Sequence, residues 1–206
     1  MDKAYIIFTK IPNPGFVKTR LTPDYSKQQA ADIQSKMLNH LLKITHGLED
    51  VTIFLAYYSE DQAQSEKFLL KLPSKINVFQ QSNGSIGNKM SNAIDHVKTL
   101  GFKKIVLTGS DIPRLNVETL QNAFSQLDKS DIVLGPTWDG GYYLFGMKNR
   151  IDQTQFLSVP IRWSTDTVFA ATLNLAKRNQ VSAVAIESLS DVDFSADWQR
   201  ESKYVE

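Results

Sequence analysis

The run Ile105-Val106-Leu107-Thr108-Gly109-Ser110-Asp111-Ile112-Pro113 constrains the fold more than any other stretch of the chain. Its apolar, β-branched start reads as a strand buried on both faces, the usual state of a central parallel strand. The run stops in a small-residue turn with one acidic side chain, so Asp111 is expected at the carboxyl end of that strand. Ligands of open α/β sheets collect at that edge, where the strand order reverses. Pro113 cannot continue a strand and favours an extended residue before it, which makes the corner stiff. Helix capping is the other use for Asp111, but Asn116 is itself a good N-cap for the helix that follows.

Around this run, strands and helices alternate. Strands are predicted at Ala4–Thr9, Val51–Tyr57, Ile76–Phe79, Ile105–Thr108, Asp131–Gly135, Tyr142–Gly146 and Val181–Ile186. Helices are predicted from Ser26, as N-cap, to about His46, and over Glu60–Leu72, Lys89–Leu100, Val117–Leu127, Thr165–Lys177 and Asp197–Tyr204. In the first of these, Ala30, Ile33, Met37, Leu41 and Ile44 recur at helical spacing. The alternation implies right-handed crossovers and a mostly parallel sheet with helices on both faces. The less regular C-terminal third would add antiparallel strands at one edge. No Gly/Ser/Pro linker divides the chain, so residues 1–206 read as one domain.

Two loops carry charge or glycine where a ligand would need them. Lys10-Ile11-Pro12-Asn13-Pro14-Gly15-Phe16-Val17-Lys18-Thr19-Arg20-Leu21 follows the first strand, the usual place of a phosphate-binding turn. Gly15 permits close backbone approach, and Lys10, Lys18 and Arg20 supply cations, with Arg20 able to grip a phosphate bidentately. The glycine spacings of a Walker loop or dinucleotide fingerprint are absent. Asp139-Gly140-Gly141-Tyr142-Tyr143 reads equally as an Asp-Gly hairpin turn or as a ligand contact, in which Trp138, Tyr142 and Tyr143 stack on a ring. Trp163-Ser164-Thr165 reads as a capped helix start that would orient a ligand, or as a plain cap with a packed Trp. Asp191-Val192-Asp193 offers two hard-cation ligands, or a cap for the last helix.

Composition narrows the chemistry. The net charge is +1, so no global field recruits nucleic acid, and anion binding must be local. With no cysteine there is no disulfide, thiolate metal site or cysteine nucleophile, which is compatible with a cytoplasmic protein. No segment is long enough to span a bilayer, and the apolar start is too short for a signal peptide. His40, His46 and His96 are not at metal-ligand spacing, and no Ser-His-Asp arrangement is supported.

Taken in order, Lys10-x-Pro12-x-Pro14-Gly15-x-Val17-Lys18-Thr19-Arg20-Leu21, Gly109-Ser110-Asp111-x-Pro113-x-Leu115, Gly135-Pro136-x-x-Asp139-Gly140-Gly141-Tyr142-Tyr143, Trp163-Ser164-Thr165 and Asp191-Val192-Asp193 resemble a family of small bacterial transferases. That family lies in the nucleotide-diphospho-sugar transferase superfamily, with the glycosyltransferase A fold. Molybdenum-cofactor and phospholactate guanylyltransferases are more distant relatives. The resemblance implies a metal-dependent enzyme that takes a nucleoside triphosphate or nucleotide sugar and transfers a nucleotidyl or sugar group to a small-molecule acceptor. Asp111, Lys18 and Arg20 would carry catalysis. Lys10, Gly15, Lys18, Arg20 and Gly87 would bind the nucleotide. Mg²⁺ or Mn²⁺ would sit on Asp111 and Asp193, with Asp191 the competing second acid. Asp139, Gly140, Gly141, Tyr142 and Tyr143 would line the acceptor side, with Trp163, Ser164 and Thr165. Asn88-Lys89, Arg114 and Ile161-Arg162 depart from the family pattern. A non-catalytic nucleotide-binding regulatory or assembly module is the alternative reading.

Overall fold

The computed structural model describes residues 2–205. The strands are β1 (Lys3–Lys10), β2 (Val51–Tyr58), β3 (Asn77–Gln80), β4 (Lys104–Gly109), β5 (Ile132–Pro136), β6 (Tyr142–Lys148) and β7 (Ala183–Ala185). The helices are α1 (Lys27–Ile44), α2 (Gln62–Leu69), α3 (Ile86–Thr99), α4 (Val117–Lys129), α5 (Thr154–Leu157), α6 (Val168–Arg178) and α7 (Ser195–Glu201). Their N-caps follow the sequence in several places. Ser26 forms a capping box with Gln29, and Asn116 accepts from Thr119 N–H, so the capping alternative for Asp111 falls away.

All the strands join one sheet in the order β3-β2-β1-β4-β6-β5-β7. β1 pairs in parallel with β2 and β4, β2 with β3, and β5 with β7. The order reverses between β1 and β4, so the loops after these two strands leave the same edge side by side. The antiparallel strand is β6, and it lies inside the sheet between β4 and β5 rather than at an edge. The turn after β5 returns the chain beside it, and Gly146 lets β6 fit the slot. A Cβ there would meet Val133 Cγ1 at 2.5 Å and Val106 Cγ2 at 3.2 Å, the residues paired with it on either side.

Strand alternation feeds two cores. Tyr5, Ile7, Ile53, Leu55, Val106 and Val133 face α1 and α4, against Leu38, Leu41, Leu120 and Phe124. Ala4, Ile6, Phe54, Ile105, Leu107 and Leu134 face the other way, onto Ile94 and Val97 of α3, Phe156 of α5 and Ala176 of α6. The sheet is therefore covered on both sides, as the continuous apolar strands require. No described helix is long and apolar enough to cross a membrane.

Candidate functional site

The basic loop is built by its own apolar residues. Val17 and Leu21 are buried, and they pin the loop on both sides of Lys18. Lys18 itself takes a left-handed backbone, φ 47°, uncommon for a lysine and of the kind found where a side chain must be aimed. Its side chain is only 9% exposed, and its Nζ donates to Asp111 Oδ2 at 2.8 Å and to the carbonyl of Val192 at 2.6 Å. Arg20 Nη1 meets Asp193 Oδ2 at 2.5 Å. Two of the cations that the sequence allots to phosphate are thus paired with the two acids it allots to metal, while Lys10 Nζ lies over the Tyr58 ring at 5.8 Å.

Asp111 stands where β4 predicts it. Gly109 leaves room for its carboxylate, since a Cβ there would lie 2.9 Å from Asp111 Oδ1. Beneath it lies a buried polar floor. Thr9 and Ser110 share a hydrogen bond of 2.7 Å, and Gln34 of α1 donates to Ser110 Oγ at 2.8 Å. Gln81 donates to the carbonyls of Thr9 and Ala56 at 2.9 Å. These bonds hold the ends of β1 and β4 in one arrangement.

The third wall comes from the C-terminal stretch. Val192 is fully buried, and its N–H donates to the carbonyl of Asp111 at 3.0 Å. In extended backbone this turns Asp191 and Asp193 to the opposite side, into the cleft. Capping of α7 falls instead to Asp197, which accepts from the N–H groups of Asp193 and Phe194. Burial, followed by the negative charges of Asp111, Asp139 and Asp193, pushes the Asp191 carboxyl up to about 7. Among the described residues Asp191 has no cationic partner.

The cleft between these walls has a volume of about 540 Å³. It gathers Lys10, Lys18, Arg20, Asp111, Asp139, Gly141, Tyr142, Tyr143, Trp163, Ser164, Thr165 and Asp193 from the sequence-predicted set. Gly15, Gly87 and Gly140 do not line it. Gly15 turns the basic loop at φ 87°. Gly87 packs the first turn of α3 against Trp163, where a Cβ would meet the ring at 2.5 Å. Gly140, at φ 89°, packs against the backbone of Asp166, where a Cβ would meet the carbonyl oxygen at 2.1 Å. The turn is the hairpin connection between β5 and β6. Asp139 Oδ1 accepts from Gly141 N–H at 3.1 Å, and the side chain still reaches the cleft.

Three aromatic expectations change. Trp138 does not line the cleft. Tyr143 is largely buried over Gly135 and donates to the carbonyl of Glu187 at 3.2 Å, so its hydroxyl is used in packing. Trp163-Ser164-Thr165 does not start a helix. Ser164 has φ 62°, Thr165 Oγ1 donates to the carbonyl of Arg162 at 2.7 Å, and α6 begins only at Val168. The segment is a loop that brings Trp163 edge-on to Tyr142, with centroids 6.3 Å apart. Gln34 and Gln81 escape the sequence reading, although Gln34 carries a signal: it is a polar residue on the apolar stripe between Ile33 and Met37.

Comparison with known proteins agrees with this architecture. A protein of Desulfovibrio desulfuricans G20, provisionally named a nucleotide-diphospho-sugar transferase, is 28% identical, with a TM-score of 0.85 over 99% of this chain and 93% of its own. A 4-diphosphocytidyl-2C-methyl-D-erythritol synthase from Anaerococcus prevotii is 9% identical, with a TM-score of 0.63 over 98% of this chain and 96% of its own. A CMP:2-keto-3-deoxy-manno-octonic acid synthetase, solved with CTP, is 8% identical, with a TM-score of 0.60 over 97% and 96%. At such identities these two share the fold alone. No curated protein matches the chain in sequence. A family model matches residues 41–165, a span that holds Asp111, the Asp139–Tyr143 turn and Trp163 but neither the basic loop nor the Asp191–Asp193 segment. The chain belongs to that family, described as an uncharacterized protein conserved in bacteria (DUF2064).

Proposed function

We propose that the cleft binds a nucleoside triphosphate or nucleotide sugar together with Mg²⁺ or Mn²⁺, and transfers its nucleotidyl or sugar group to a small acceptor. One observation carries this reading. A cationic loop and four carboxylates, those of Asp111, Asp139, Asp191 and Asp193, meet at the switch point of a nucleotide-transferase fold.

The donor set suits a hard divalent cation. Asp191 is short of positive charge, and the Lys18 ammonium already lies between an Asp111 oxygen and the Val192 carbonyl. Among the described residues no group of three or more His, Asp or Glu side chains is placed to hold a metal ion, so the protein would supply two carboxylates at most. That is usual where phosphate oxygens and water complete the shell. Asp111 with Asp193, or with Asp191 in its place, would hold the ion, which when bound supplies charge neutralisation and Lewis acidity at the phosphates.

The chain's own groups account for the rest. Lys18 and Arg20 exchange their carboxylate partners for phosphate oxygens and stabilise the departing pyrophosphate or diphosphate. Ser110, Thr9 and Gln34 keep the Asp111 corner from shifting. Asp139, Tyr142 and Trp163 form the wall for an acceptor with hydroxyls and a ring face. Thermal stabilisation by nucleoside triphosphates and nucleotide sugars, with and without Mn²⁺, tests the reading. A ligand-induced rise that needs Mn²⁺ and vanishes in Asp111→Asn supports it. A rise of equal size without metal and in the variant rejects it.

A further inference from the structure

The segments Thr137–Asp139 and Leu189–Asp191 run side by side, joined by a parallel bridge between Thr137 and Leu189. Thr137, Asp139 and Asp191 face the cleft. Trp138, Ser188 and Ser190 face the other way, into a second pocket of about 460 Å³ closed by Arg114, Arg200 and Glu201. We infer that this second pocket is a binding site, separate from the cleft, for a small oxyanion carried on a ring.

Glu201 is fully buried and, among the described residues, is the only carboxylate lining the pocket. Both its oxygens are taken: Arg114 donates from Nε at 2.6 Å and from Nη2 at 3.2 Å, and Arg200 donates from Nε at 3.0 Å. The Nη2 of Arg200 bonds Asp197 at 2.9 Å. Among the described residues the Nη1 group of each guanidinium has no partner, and neither have the hydroxyls of Ser188 and Ser190 or the indole N–H of Trp138. The described lining therefore carries two Nη1 groups, two hydroxyls and an indole N–H without a partner, and among the described residues no carboxylate there is free to repel an anion. Guanidinium edges of this kind match phosphate and carboxylate geometry.

The ring requirement comes from Trp138, which is 78% exposed at the pocket rim. Its flat face gives an aromatic or sugar ring a surface to stack on. Arg114 directly follows the Asp111–Pro113 corner. The structure turns it away from the cleft and into this pocket, over the Tyr204 ring at 4.5 Å. A ligand here would lean on the strips that carry Asp139 and Asp191 on their other side.

Phenyl phosphate is the probe, with inorganic phosphate and phenol as its separate halves, read by the amide and indole resonances of the full chain. The three tryptophans divide the molecule well: Trp163 reports the cleft, Trp138 the second pocket and Trp198 α7. The expected result is a saturable shift at Trp138, Ser188 and Ser190 with Trp163 unmoved, and weaker binding of either half alone. Arg114→Lys keeps a cation beside Glu201, and Trp138→Ala removes an exposed side chain, so both variants retain the fold. Each should weaken phenyl phosphate by about tenfold while leaving nucleotide binding in the cleft unchanged. No saturable shift, a shift centred on Trp163, or wild-type affinity in both variants overturns the inference. Inorganic phosphate binding as tightly as phenyl phosphate overturns the ring requirement.

Discussion

Glu201 and Asp191 are two carboxylates withdrawn from water in the same C-terminal stretch, and they have opposite surroundings. Burial works against both. At Glu201 the hydrogen bonds from Arg114 and then Arg200 outweigh it and hold the carboxyl below its ordinary value. At Asp191 burial is reinforced by Asp111, Asp139 and Asp193, and the carboxyl rises to about 7. A carboxylate completed by its own chain has a structural role. One left facing other acids stores unfavourable charge that an added cation relieves, as expected of a binding site.

The largest effect should come from breaking the satisfied case. Glu201→Gln removes the charge that both guanidiniums hold, and should cost about 3 kcal/mol in urea denaturation, a sizeable part of a domain's stability. Wild-type stability in that variant would erase the contrast. The next effect is on binding. Lys18→Met should weaken a nucleoside triphosphate by about 1.5–3 kcal/mol and leave the nucleoside alone unaffected, because one charge-assisted contact to phosphate is lost. Parallel losses for both ligands would remove Lys18 from the phosphate site.

The unsatisfied case predicts a pH signature in metal-free protein. Because the folded Asp191 carboxyl sits near 7, above its ordinary 3.8, the folded state holds a proton that the unfolded chain has released. Stability from this group is therefore present at low pH and is lost as pH rises from about 4 through 7. Asp191→Asn should melt a few degrees higher than wild type at pH 8 and at the same temperature near pH 4. A melting difference independent of pH would contradict the assignment. The smallest effect is at the rim. Arg20 and Asp193 are both partly exposed, so Arg20→Gln should change stability by about 0–1 kcal/mol while still weakening triphosphate binding.

The residues differ in how much of this they declare in sequence. Asp111 is legible because an apolar strand, a small-residue turn and Pro113 fix where it must be. The basic loop is legible for the same reason, through Pro12, Pro14 and the charges beside them. The internal place of β6 is not, because strand order is set by which strand fits between β4 and β5, and Gly146 reveals its purpose only once Val106 and Val133 flank it. The helix start expected at Ser164 fails for a local reason: a left-handed Ser164 turns the chain, and the helical pattern begins at Val168. The pairing of Lys18 with Asp111 and of Arg20 with Asp193 joins residues remote in sequence, which no spacing rule reaches. Arg114 stands out in sequence only as a departure from the family pattern, and its pairing with the buried Glu201, remote in the chain, shows only in the structure.

The central claim is that the acids of the cleft engage the nucleotide through a divalent cation. Calorimetric titration of each of the four nucleoside triphosphates, once as a preformed Mn²⁺ complex and once metal-free in chelator, tests it on wild type and Asp111→Asn. The account predicts that at least one Mn²⁺ complex binds wild type at least tenfold more tightly than its metal-free form, and that Asp111→Asn removes this difference. Equal affinity with and without Mn²⁺ in wild type, or an undiminished difference in the variant, would contradict it.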